Sequence, residues 1–185
     1  MSRIPLADLS ALDSDLRQMV DQVEQITGDS TGMRVMAHRP EMLKNFASFY
    51  WQLQSFGLLD RKLIELVRLG IAQINRCPNC LAARYQDSFD EGLTEEMIAQ
   101  LPDVENAGEF TERERAAITF GQKMASNHWS VGDGEFARLY EHFNTDEIVE
   151  LNMLVAQFIG IGRMFAVVDA MNPACDIPHR RAVGA

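Results

Sequence analysis

Cysteine is scarce in this chain and positive charge is outnumbered: 185 residues carry three Cys, and 17 Lys and Arg stand against 27 Asp and Glu. The formal net charge of -10 repels nucleic acid and anionic membrane surfaces unless a local basic patch intervenes, and the sequence has no such patch. Long apolar runs are missing too. No stretch approaches the roughly 18 uninterrupted apolar residues of a membrane span, and the opening Met1-Ser2-Arg3-Ile4-Pro5-Leu6-Ala7-Asp8 lacks the apolar core of a signal peptide. These absences set the expectation of a cytoplasmic protein in a reducing setting, with neither nucleic acid nor membrane as partner. Apolar-polar alternation is absent, which leaves no strand to predict, and there are no repeats, low-complexity tracts or long linkers. No G-x-G-x-x-G or P-loop follows a strand, so no bound nucleotide or other bound cofactor is expected.

What remains is helix. A hydrophobic content of 46% is enough for one sizeable core, and the fold class is all-α with about eight helices. After an entry arm, Leu12, Leu16, Met19, Val20, Val23 and Ile26 recur at helical spacing up to Gly28. A short piece from Met33 to His38 follows, then a helix from Pro40 to near Gly57. Asp60 is placed to cap a helix whose apolar stripe is Leu63, Ile64, Val67, Ile71 and Ile74. Thr94 caps a short helix, and Thr111-Glu112-Arg113-Glu114 is a capping box that opens the next. Phe136, Leu139, Tyr140 and Phe143 mark another. Thr145 then caps the longest segment, apolar on nearly all sides from Ile148 to Val168, a pattern expected at the centre of the bundle or at a subunit contact.

The interruption Asn75-Arg76-Cys77-Pro78-Asn79-Cys80 carries the chemistry. Pro78 has no N–H to give and suits the first position of a helix, which makes Cys77 the N-cap and puts Cys80 in the first turn. This helix is expected to run from about Pro78 to Glu91, with Gly92 as its left-handed cap. Both sulfurs then lie over free N–H groups at the positive end of the helix dipole, where a thiolate is stabilised. By that argument Cys77, nearer the end, is the more acidic thiol. In a reducing compartment a C-x-x-C pair is more often catalytic or metal-binding than structural. Zinc is the competing reading, because Cys175 and His179 would complete a Cys3His set if the tail folded back. The preferred assignment has no metal and leaves Cys175 as a tail thiol.

The segment from Leu58-Leu59-Asp60-Arg61-Lys62-Leu63-Ile64-Glu65 through Cys77-Pro78-Asn79-Cys80 resembles the alkylhydroperoxidase D-like branch of the carboxymuconolactone decarboxylase family. Glu65 twelve residues before Cys77, the C-x-x-C itself and the apolar stretch ending in Ile74-Asn75 carry the likeness. It extends upstream through Ala37-His38-Arg39-Pro40 and downstream through Glu112-Arg113-Glu114-Arg115 to Phe143-Asn144-Thr145-Asp146. The resemblance implies a domain over residues 36–171, preceded by an arm and helix over 1–35 and followed by an extended tail over 172–185. It further implies a homo-oligomer, trimer or hexamer, that acts as a thiol-dependent peroxidase or disulfide oxidoreductase. In it Cys80 attacks the peroxide, Cys77 resolves the product as a Cys77–Cys80 disulfide, and Glu65 takes the proton from Cys80 through water. An external dithiol or a redox partner protein then resets the pair.

One position departs from the family pattern: four residues after the second cysteine, Arg84 stands where a histidine is usual. Arginine keeps its proton and supplies only fixed positive charge. On the expected helix Arg84 lies one turn below Cys80, placed either to stabilise the thiolate or to pair with Glu65 and silence it. His128, beside Trp129, is the candidate replacement for the proton shuttle, whereas His38 reads as a helix-entry residue and His142 as a surface one. On one straight rod Glu65 and Cys77 would stand ~18 Å apart, so the role of Glu65 demands a chain reversal near Asn75 or a contact across subunits. Two rival functions are a lactone decarboxylase that needs no dithiol and a non-catalytic oligomeric ligand-binding protein.

Overall fold

The computed structural model describes residues 2–170. Among them are ten α-helices, three short 3-10 turns and no strand, an all-α fold as the periodicity predicts. The centre of the molecule is α4 (Arg61–Asn75), whose residues from Leu63 to Ala72 are all buried. Asp60 starts it, its carboxylate accepting the Leu63 N–H. Against α4 lie α8 (Glu112–Asn127) and α10 (Thr145–Val167). Close approach of α8 is allowed by Gly121, where an added Cβ would stand 3.1 Å from Val67. Each fully buried Leu or Ile of this core contributes roughly 1.5–3 kcal/mol relative to exposure.

Three earlier helices cover one side: α1 (Ser14–Thr27), α2 (Thr31–Met36) and α3 (Pro40–Ser55). They share a smaller core of Ala7, Leu12, Leu16, Val20, Ala37 and Leu43. Gly28 ends α1 in the left-handed conformation, φ 72°, that glycine adopts without steric cost. The entry arm is tied down at its start, where the Arg3 N–H donates to the Val168 carbonyl just past α10.

Three differences from the sequence reading concern the helices. The expected Cys helix to Glu91 is two helices, α5 (Pro78–Ala82) and α6 (Gln86–Asp90), and this split is part of why there are ten helices rather than about eight. The N-cap of α10 is Asn144, not Thr145. Asn144 and Glu147 cap each other reciprocally, whereas the residue three past Thr145 is Ile148, which has no acceptor to return. The fully buried central helix is α4, while α10 buries only the stripe Ile148, Leu151, Leu154, Val155, Phe158 and Gly162 and leaves Val149 and Met153 exposed. By length and composition α10 would suffice to cross a membrane, yet that stripe is packed on α3, α4 and α8. Cys175, His179 and the rest of the predicted tail lie outside the described residues. The remaining helices, α7 (Glu95–Gln100) and α9 (Asp133–Tyr140), close the far side.

Candidate active site

The reversal that the Glu65 argument demands occurs at Arg76, which takes φ 50° and ψ 46° and ends α4. The Cys77 N–H then reaches back to the Ala72 carbonyl, 3.1 Å away, closing a Schellman-type cap. The chain turns and α5 runs back along α4. Pro78 occupies the first helical position and Cys77 is the N-cap, its sulfur accepting the Cys80 N–H at 3.3 Å. Across the top of this turn Asp29, from the link between α1 and α2, accepts a hydrogen bond from the Asn79 side chain at 2.5 Å.

Cys77 and Cys80 form a disulfide, with their Cα atoms 5.3 Å apart. The two sulfurs differ in surroundings. Cys77 is fully buried, at 0% exposure, whereas Cys80 is partly open. Cys80 also lines a cavity of about 50 Å³ together with Tyr50, Arg68, Ala72, Asn75 and Phe158.

Beneath α5 lies a buried ion pair that the sequence reading missed. Arg68 donates through Nε and Nη2 to the two oxygens of Glu65 at 2.6 and 2.5 Å, and the pair is all but sealed, with Glu65 at 0% and Arg68 at 5% side-chain exposure. Two further N–H groups of Arg68, on Nη1 and Nη2, reach the carbonyls of Cys80 and Ala83 at 2.5 and 3.1 Å. Burial opposes the charge of Arg68, but Glu65 beside it more than offsets this and holds the guanidinium above its ordinary value. The signal was available: Arg68 follows Glu65 by three residues on the same apolar stripe, the spacing at which helical side chains meet.

This pair also explains the broken Cys helix. In a continuing helix the Cys80 carbonyl would accept from the Arg84 N–H; here it accepts from Arg68 instead, and Ala83 leaves the helix at ψ 135°. Arg84 therefore does not sit one turn below Cys80. Its guanidinium caps the Leu81 carbonyl at 2.6 Å and pairs with Glu95 at 2.7 Å, which holds the Glu95 carboxyl below its ordinary value. Of the two suggested uses of Arg84, the pairing with Glu65 is not made, since Glu65 is held by Arg68. His128 is exposed on a 3-10 turn against Trp129 and is not among the cavity-lining residues. Glu65 likewise does not line the cavity, and its link to Cys80 runs through Arg68. Tyr50, Phe158 and Ile161 also line the cavity, and sequence periodicity treated all three only as core.

Residues 40–123, a span that holds α3, α4, the dithiol turn and most of α8, match the carboxymuconolactone decarboxylase family. This segment belongs to that family. Among curated proteins, the uncharacterized protein YdfG of Bacillus subtilis (strain 168) is 24% identical over 100 residues, which is 54% of this chain and 68% of the relative. Among solved structures, an uncharacterized peroxidase-related protein from Ralstonia eutropha JMP134, described as an alkylhydroperoxidase AhpD core, superposes with a TM-score of 0.72 at 24% identity over 94% of this chain and 93% of that one. A peroxidase-related protein from Silicibacter sp. TM1040 gives 0.74 at 19% identity over 92% and 91%. At these identities the structural likeness is one of fold. It extends well beyond the family segment and takes in the N-terminal helices and α10.

Proposed function

We propose that this carboxymuconolactone decarboxylase family protein is a dithiol peroxidase in which Cys80 reacts with a hydroperoxide and Cys77 resolves the product. The observation that carries the reading is the asymmetry of the pair: a Cys77–Cys80 disulfide of which only Cys80 opens onto a cavity. A peroxide needs access to the attacking sulfur, and a reductant needs access to the sulfur it attacks; both requirements select Cys80. Acidity selects the other. Cys77 holds the N-cap and accepts the Cys80 N–H, so it is the better leaving thiolate when an external dithiol or a protein reductant attacks Cys80. Access and acidity therefore assign different roles, and the two sequence arguments about which cysteine matters are compatible.

In this reading Glu65 acts through Arg68. The carboxylate neutralises the guanidinium, and the guanidinium fixes the Cys80 carbonyl, so the pair sets the position of the reacting turn. The open apolar face of α10, with Val149 and Met153 exposed, supports assembly as a homo-oligomer.

Counting free thiols by mass before and after one equivalent of hydrogen peroxide tests the proposal. Loss of two hydrogens from the peptide holding Cys77 and Cys80 is the expected result, with Cys77→Ser still consuming one equivalent and Cys80→Ser none. A reduced protein that leaves the peroxide untouched, or a Cys77→Ser/Cys80→Ser variant with full activity as a lactone decarboxylase, overturns it.

A further inference from the structure

We propose that Tyr50 is a catalytic residue of this site, its phenolic O–H supplying the proton that the departing oxygen of the peroxide takes up. The inference rests on the peroxidase reading above. Tyr50 projects from α3 and lines the same cavity of about 50 Å³ as Cys80, room enough for a molecule the size of hydrogen peroxide between the two side chains. Its ring is held between two others, with Phe46 stacked at 5.8 Å and Phe158 edge-on at 6.3 Å.

Elimination among the cavity walls leads to the same group. Ala72, Phe158, Ile161 and Gly162 have no side-chain proton to give. Arg68 commits four of its five N–H groups to Glu65 and to the carbonyls of Cys80 and Ala83, and a guanidinium held above its ordinary value gives up no proton. The Asn75 amide reaches the carbonyls of Phe158 and Ile159. Of the two polar groups left, the Gln157 amide is no acid in water, whereas a phenol is. Burial, with Tyr85 and Glu65 adding to it, pushes the Tyr50 phenol well above its ordinary value and outweighs the opposing pull of Arg68 and Gln54, which keeps the proton on the phenol throughout the neutral range.

With hydrogen peroxide the Cys80 thiolate attacks the near oxygen. An S–O bond forms as the O–O bond breaks, and the bonding pair leaves on the far oxygen. That oxygen takes the proton of Tyr50 and departs as water. Sulfur is oxidised by two electrons to the sulfenic acid, the peroxide is reduced by two, and the phenolate recovers a proton from solvent. The Cys77 thiolate then displaces the sulfenic oxygen, which leaves as hydroxide and takes a proton from solvent to become a second water, and the disulfide of the structure results.

Two oxidants separate proton donation from packing. Hydroxide, the leaving group of hydrogen peroxide, needs the proton; acetate, the leaving group of peracetic acid, does not. In single-turnover oxidation of the reduced protein, Tyr50→Phe is expected to slow the reaction with hydrogen peroxide on the order of 10²-fold, the usual size of a general-acid effect, and to leave peracetic acid nearly unaffected. Equal slowing with both oxidants, or slowing with neither, overturns the inference while leaving the peroxidase reading intact. The unsubstituted protein supplies a second measurement: a solvent deuterium isotope effect is expected with hydrogen peroxide and not with peracetic acid, and its absence with both overturns the inference. If the unsubstituted protein keeps both thiols in hydrogen peroxide, the peroxidase reading fails and this inference with it.

Discussion

Two arginine–carboxylate pairs flank the short Cys helix, and they differ in almost everything except chemistry. Arg68–Glu65 lies beneath it at 5% and 0% exposure; Arg84–Glu95 lies beside it at 34% and 60%. Each arginine caps carbonyls at the helix end, Arg68 those of Cys80 and Ala83, Arg84 those of Leu81 and Ala83. The outer pair is in high dielectric and screened by salt, so its Coulomb attraction is worth little. The inner pair has left water, and neither partner is tolerable without the other. One arrangement of charges thus yields a replaceable surface contact and an obligatory interior one, and the interior one fixes where Cys80 stands.

The sharpest way to break this comparison is to remove one inner partner. Arg68→Leu or Glu65→Gln is expected to cost about 3–5 kcal/mol in urea unfolding, because a charge is left buried without its counterion. Glu65→Leu/Arg68→Leu should recover much of that loss; a double variant no more stable than the worse single one would mean that the carbonyl caps, not the charges, hold the turn. A smaller effect is expected at Tyr85, whose ring receives Arg61 at 5.8 Å and Arg68 at 5.4 Å. Losing that stacking in Tyr85→Leu should lower the unfolding free energy by about 0.5–2 kcal/mol, and equal loss in an Arg68→Leu background would show the two residues to be uncoupled.

At the outer pair Arg84→Ala should change stability by about 1 kcal/mol or less, as read from the shift in urea midpoint at constant slope. A loss as large as that of Arg68→Leu would erase the distinction between the two pairs. The smallest expected effect is in pH dependence. The Glu95 carboxyl, hydrogen-bonded by Arg84, is held below its ordinary value of 4.5. A depressed carboxylate contributes stability that is present above 4.5 and is lost as pH falls through the lowered folded-state value. Carbon NMR titration of Glu95 should therefore show its midpoint moving up toward 4.5 in Arg84→Ala.

Local signals were legible in the sequence wherever a helix end is built from neighbours. Asp60, Thr94 and Thr111 cap the helices that they were expected to cap, Pro78 stands first in α5, and Gly28 closes α1. The reversal between Glu65 and Cys77 was demanded by the ~18 Å length of a straight rod, and it occurs at Arg76. Asn144 was misplaced by one residue because two capping side chains stand next to each other there, and only one has a glutamate three positions on.

The pairing at the site was less legible. Glu65 was singled out while Arg68, one turn away on the same stripe, was not. Arg84 was judged from a helix that does not continue, because the donor that ends it comes from α4.

The chain alone determined an all-helical fold, the place of the dithiol at a helix start and most helix boundaries, since each depends on residues within a few positions of one another. Tertiary structure alone decided that Cys77 is sealed and Cys80 partly open, that Arg68 caps the carbonyls of Cys80 and Ala83, and that Tyr50 shares a cavity with Cys80. Burial and hydrogen-bond partnership at those atoms are set by α3, α4 and α10 closing around the turn, and no short window of sequence contains that information.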